Sequence, residues 1–143
     1  MAPRVVLDTN VLVSAVRSRL GASFQLLSLL GRPEPPFRIA LSVPLVLEYE
    51  AALFRHQRSA NLTRQEVGDL LDYLCSIGEH QEIFYLWRPL LSDANDDLVL
   101  EVAVAARVDA IVTHNVRDFE AAGTFDLAVL RPQDLLAALG DAI

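Results

Sequence analysis

The chain has 143 residues, enough for one domain with a real core, and 52% of them are hydrophobic. Its formal net charge of −7 excludes a broadly basic, non-specific nucleic-acid coat but leaves room for an acidic site that gathers cations. One cysteine, Cys75, excludes an internal disulfide and a cysteine-built zinc cage; in its apolar helical setting it reads as a buried structural thiol.

Taken in chain order, Arg4-Val5-Val6-Leu7 is a short β-branched run and reads as a buried strand. Thr9–Val16 and Ala22–Leu30 read as helices broken near Leu20-Gly21, and Arg32-Pro33-Glu34-Pro35-Pro36 as a surface turn. Phe37–Leu41 is a second strand. Ser42 can cap the next helix, with Pro44 in its first turn and Leu45, Val46, Tyr49, Leu53 and Phe54 facing a core. Thr63 and Glu66 form a capping box for a helix carrying Val67, Leu70, Leu71 and Leu74 on one face. Glu82–Trp87 is read as a strand, Asp96–Ala106 as a helix, and Ala110–Thr113 and Ala128–Leu130 as strands. Pro132 opens a last helix over Gln133–Leu139.

Short apolar strands alternating with helices predict an α/β domain, residues 1–143, with a central, mostly parallel sheet flanked by helices. Such sheets bind ligands beyond the carboxyl ends of their strands. No apolar run reaches the roughly 18 residues that span a bilayer, and the short segment after Met1-Ala2-Pro3-Arg4 is not a signal-peptide core. The expectation is a cytoplasmic protein with no membrane.

Asp8 follows the first strand directly, and Asn115 follows the strand ending at Thr113, so both are expected on that rim. Asp97 falls in the first turn of the helix before that strand, and Glu48 about one turn into the helix after Leu41. Each has a bland reading: Asp8 can cap a helix, Asp96 and Asp97 suit a helix N-terminus, and Glu48 can be solvated. Beside the apolar stripe of Leu45, Tyr49 and Ala52, however, Glu48 wants a cation. Acids gathered in one cleft repel unless cations intervene, and hard divalent ions prefer oxygen ligands. No Ser–His–acid ordering, phosphate-binding glycine loop or zinc helix motif competes.

Four segments in order resemble the PIN-domain family: Val5-Val6-Leu7-Asp8-Thr9-Asn10-Val11-Leu12-Val13-Ser14-Ala15, Ser42–Tyr49, Asp96–Ala103 and Asp109–Phe119. The resemblance covers nearly the whole chain and is nearest to the bacterial VapC-like toxin components of toxin–antitoxin systems. It implies a PIN-like α/β/α fold and cleavage of single-stranded RNA with Mg²⁺ or Mn²⁺, leaving 5′-phosphate and 3′-hydroxyl ends. It also implies an antitoxin partner and a homodimer. Carried over, Asp8, Glu48 and Asp97 are the catalytic and metal-ligating acids, Asn115 is a further metal ligand, and Asn10, Ser14, Thr113 and Asp96 are supporting groups. The family often has aspartate where Asn115 stands; an amide can ligate through oxygen but brings no charge, and Asp93, Asp96 or Asp118 are candidate compensators. Asp118 also reads as the cap of a short helix after Phe119 or as a solvent-facing residue.

Arg17, Arg117 and His114 are candidate substrate contacts, with Arg19, Arg55 and Arg58 in the wider set; all 12 basic residues are arginines. Arginine makes bidentate phosphate contacts and stacks on bases. His56 and His80 read as exposed. Tyr85, Leu86 and Trp87 read as core, with a dimer surface as the alternative. The leading function is a metal-dependent endoribonuclease, a hydrolase of phosphodiester bonds. The alternative is a weakened PIN module that binds RNA or a protein partner without cutting. A haloacid-dehalogenase-like phosphatase is disfavoured, because the second aspartate of that motif is here Asn10.

Overall fold

The computed structural model describes residues 2–83 and 94–140. Its elements are β1 (Arg4–Leu7), α1 (Thr9–Arg17), α2 (Ala22–Leu30), β2 (Arg38–Leu41), α3 (Val43–Arg55), α4 (Arg64–Ile77) and β3 (Glu79–His80). They continue with α5 (Ala94–Ala105), β4 (Ala110–Val112), a 3-10 helix over Val116–Phe125, β5 (Ala128–Leu130) and α6 (Pro132–Ala138).

The five strands run in the order β3-β2-β1-β4-β5, and every pairing is parallel. Parallel strands cannot be joined by tight hairpins, so each connection carries helix, and the helices flank the sheet in the expected α/β/α arrangement. The three middle strands are apolar because they are covered: Val5, Val6, Leu7, Ile39, Ala40, Leu41, Ile111 and Val112 are all buried. Each fully buried branched side chain stabilises the fold by about 1.5–3 kcal/mol. The chain runs from β1 outward to β2 and β3, then returns to β4 on the other side of β1. The order therefore reverses between β1 and β4, and a crevice opens beyond their carboxyl ends.

Local signals explain most helix boundaries. Ser42 accepts from the Leu45 amide at 3.2 Å to start α3, with Pro44 in the first turn. The reciprocal Thr63–Glu66 capping box starts α4. Gly78 ends α4 where the chain passes close to Leu41; a Cβ there would meet that side chain and lie 2.9 Å from the Leu74 carbonyl.

The structure corrects several expectations. The structure adds an unexpected strand, Glu79–His80, paired with Ala40 and Leu41, ahead of the expected Glu82–Trp87. Glu82 and Ile83 have no regular structure, and the rest of that run, with Tyr85, Leu86 and Trp87, lies outside the described residues, as does Asp93. The polar pair wins because β2 offers it an edge: Glu79 accepts from Arg38 at 2.9 Å and Arg4 at 3.1 Å, and the Gln81 amide donates to the Leu41 carbonyl at 2.7 Å. Of the two readings of Asp118, the solvent-facing one holds: it is exposed inside the 3-10 helix that starts at Val116 and kinks at Phe119, and caps no helix beginning after Phe119. Cys75 is half-buried rather than buried, and His56 is half-buried while His80 is exposed. Among the described residues no helix is long and apolar enough to cross a membrane.

Candidate active site

Asp8 is the N-cap of α1: its Oδ1 accepts from the Thr9 amide at 2.8 Å. The capping reading is therefore correct, yet it does not exhaust the residue. The Thr113 hydroxyl, fully buried one residue past β4, donates to Asp8 Oδ2 at 2.7 Å. Thr113 Oγ1 in turn accepts from the Asn115 amide at 3.0 Å and, more loosely, from Asn10 Nδ2 at 3.4 Å. Asn10 Oδ1 accepts from the His114 amide at 3.2 Å. The loops after β1 and β4 are thus stitched to each other around one buried carboxylate. Strand register makes this possible, since Leu7 pairs with Val112 and the Asp8 amide continues the ladder to the Val112 carbonyl at 2.8 Å.

α3 is fastened to the same strand end from the other side. Tyr49 is buried, and its hydroxyl donates to the Leu7 carbonyl at 2.5 Å. Burial, reinforced by the negative charge of Asp8, pushes the Tyr49 phenol far above its ordinary range, so it stays a neutral donor. With residue 49 under the helix, residue 48 is turned about 100° around the axis and faces the side of the helix that borders Asp8. Glu48 has 13% of its side chain exposed and pairs with Arg55 at 3.3 Å.

These groups open on one cleft of about 520 Å³, lined by Asp8, Thr9, Asn10, Val13, Ser14, Arg17, Ser18, Glu48, Ala52, Arg55, His56, Asn95, Asp96 and Asn115. Of the residues singled out in the sequence, Asp8, Asn10, Ser14, Arg17, Glu48, Asp96 and Asn115 are brought together here. Thr113 stands behind Asp8 rather than in the cleft. Asp97 is buried and does not line it; at the start of α5 it is the neighbouring Asp96 that does. His114 and Arg117 are exposed and lie outside the lining.

His114 reaches sideways instead, its Nε2 3.1 Å from the Oγ of the buried Ser23 on α2. Burial lowers its imidazole below the ordinary range, against the opposing pull of Asp8, so it is neutral at pH 7.

Two features escaped the sequence. His56 lines the cleft because it lies one residue beyond α3, on the wall that Arg55 also forms. Glu101 is buried on α5, four residues after Asp97 and hence on the same face. Its i, i+4 spacing inside an alanine- and valine-rich helix is the signal that would have found it.

The cleft offers the carboxylates of Asp8, Glu48 and Asp96 and the amide oxygens of Asn10, Asn95 and Asn115, with no sulfur. An all-oxygen set of this kind suits a hard divalent cation such as Mg²⁺ or Mn²⁺. Among the described residues no group of three His, Cys, Asp or Glu side chains is already arranged to hold one ion; Glu48 is directed to Arg55.

Residues 4–117 match the family model described as PIN domain. No curated protein matches the chain. Among solved structures, the crystal structure of VapBC2 from Rickettsia felis bound to a DNA fragment from their promoter contains a similar chain. The likeness has 21% sequence identity, covers 90% of this chain and 98% of that one, and gives a TM-score of 0.59. At that identity it speaks for the fold.

Proposed function

The chain belongs to the PIN-domain family, and from that premise we propose that it is a divalent-metal-dependent endoribonuclease of single-stranded RNA, acting as the toxin of a toxin–antitoxin pair. The observation that carries this reading is the placement of Asp8: a buried carboxylate at the β1–β4 reversal, held by Thr113 and facing a cleft it shares with Glu48, Asp96 and Asn115. PIN domains are generally nucleases that use divalent metals.

In this reading Asp8, Glu48 and Asp96 hold the cation, with the Asn115 amide oxygen as a neutral fourth group. Asp97, beside Asp96 in the first turn of α5, supports from within the core. When bound, Mg²⁺ or Mn²⁺ supplies a Lewis acid and a readily ionised water for attack on phosphorus. Asp8 is aimed before any substrate arrives, because the Thr9 amide and the Thr113 hydroxyl fix its two oxygens. Asn10 and Thr113 keep the two loops at a constant spacing. Arg17, Arg55 and His56 line the same cleft and give it a complement for phosphate.

The likeness to a chain of the VapBC2 complex supports an antitoxin partner for this chain. A homodimer and a cytoplasmic location belong to the same reading.

The test is direct. Purified protein is incubated with labelled single-stranded RNA and Mn²⁺ or Mg²⁺, beside EDTA and Asp8→Asn controls. Cutting that is lost in both controls is the expected result. RNA binding without cutting, unchanged by EDTA, would transfer the assignment to the non-cleaving binding module.

A further inference from the structure

Arg55 and Glu48 both lie on α3, seven residues apart. That spacing puts them within about 20° around the helix axis and about 10 Å apart along it. The residue between them on this stripe is Ala52, which lines the same cleft. Its small side chain leaves Arg55 free to lie back along the helix, towards the N-terminus, until Nη2 meets Glu48 Oε1 at 3.3 Å.

A cation in the last turn of a helix is ordinary, since the macrodipole favours it there. The dipole accounts for the charge at position 55 but not for a side chain laid over two turns to reach a carboxylate. The ion pair is also uneven. The Glu48 side chain is 13% exposed and that of Arg55 58%, and they share one contact rather than the bidentate pair of which a guanidinium is capable. Arg55 itself lines the cleft, which also carries Arg17 and His56.

We propose that Arg55 serves two anions in turn: it neutralises Glu48 until a divalent cation takes that carboxylate, and then grips a backbone phosphate of the single strand lying in the cleft. This rests on the nuclease reading above. Arg55 and the metal are then rivals for Glu48, while Arg55 and the metal act together on the substrate. The chain's net charge of −7 makes such a local cation necessary, because the molecule as a whole repels a polyanion.

The experiment compares wild type, Arg55→Ala and Arg55→Lys, with circular dichroism to confirm that each is folded. Mn²⁺ binding is titrated calorimetrically without nucleic acid. Binding of a short uniform single-stranded RNA is then measured across a salt series with Ca²⁺ in place of Mn²⁺. Arg55→Ala should bind Mn²⁺ up to about fivefold more tightly, the scale of one partly exposed ion pair. It should bind RNA more weakly, with a log–log salt slope shallower by about 0.7, one phosphate contact on a single strand. Arg55→Lys should keep the salt slope near that of wild type. Mn²⁺ affinity unchanged or weakened in Arg55→Ala, or a salt slope equal to wild type, would overturn the proposal while leaving the nuclease reading intact. A wild-type protein that binds no Mn²⁺ would remove both.

Discussion

Beyond β1 and β4, Asp8, Asn10 and Thr113 hold one another through hydrogen bonds that cross between loops 103 to 105 residues apart in sequence. Along α3, by contrast, Glu48 is held by one arginine from its own helix, over a single 3.3 Å contact. The first wall is pre-aimed by several cross-loop bonds; the second is adjustable, resting on one contact to a half-exposed arginine. A nuclease of the proposed kind needs both, since one carboxylate must be fixed to define where the cation sits and another must be able to change partners as it arrives. The comparison teaches that acids in one cleft need not be equivalent: burial and partner number separate them before any ligand binds.

The difference can be broken most severely at Asp8. Asp8→Asn keeps the N-cap but loses the charge and sets an amide donor against the Thr113 hydroxyl, so RNA cleavage should fall by about a hundredfold or more while stability falls by no more than about 1–3 kcal/mol. Cleavage rates and thermal melts read the two effects separately. Glu48→Gln, on the adjustable wall, should cost less in rate than Asp8→Asn.

Thr113→Val comes next. It preserves shape in a fully buried position but removes the donor to Asp8 and the acceptor for the Asn115 amide. Stability should drop by about 1–3 kcal/mol in urea titrations, and metal affinity or activity by about tenfold to a hundredfold. An equal loss of affinity in an Arg55 variant would erase the distinction between the walls.

Tyr49→Phe should cost about 1 kcal/mol through the lost bond to the Leu7 carbonyl, and it carries a pH signature. The folded phenol is held far above the ordinary value of 10.0, so above pH 10 the unfolded state releases a proton that the folded state keeps. Stability is therefore full below pH 10 and declines as pH rises past it. Tyr49→Phe should flatten that decline in part; burial also raises the Tyr73 phenol, so a remainder persists in the same window.

The smallest expected effect concerns the His114–Ser23 contact. The folded imidazole sits below its ordinary 6.5, so this group's contribution is full above about pH 6.5 and is lost as pH falls towards the folded value. A melting-temperature difference between wild type and His114→Gln that widens from pH 5 to pH 7 is the expected outcome. Ser23→Ala should cost about 0.5–1.5 kcal/mol at pH 7; no loss at all would show that the contact does not anchor the β4 loop to α2.

Much of this was legible in the chain because it depends on neighbours in sequence. The β-branched run before Asp8, the Ser42 cap with Pro44, the Thr63–Glu66 box and the apolar stripes placed most elements within a residue or two, since caps and periodicity are local physics. The order of strand and helix then predicted a parallel sheet and a rim, and so the meeting of Asp8 with Asn115. The strand Glu79–His80 escaped the sequence for the opposite reason. Glu79 and His80 have no strand-like composition, and they are extended because β2 presents an edge and two arginines to them.

Tertiary structure alone decided which of two neighbouring acids faces the cleft. Asp96 and Asp97 are adjacent and chemically alike, yet a turn of about 100° per residue sends one to the cleft and the other into the core. It also decided that His114 turns to Ser23. The residues, their order and their charge are properties of the chain. Which lone pair meets which donor depends on how α1, α3 and α5 are rotated against the sheet, and that rotation is set by the packing of side chains such as Tyr49, Leu45 and Val99 in a core no single segment can form alone.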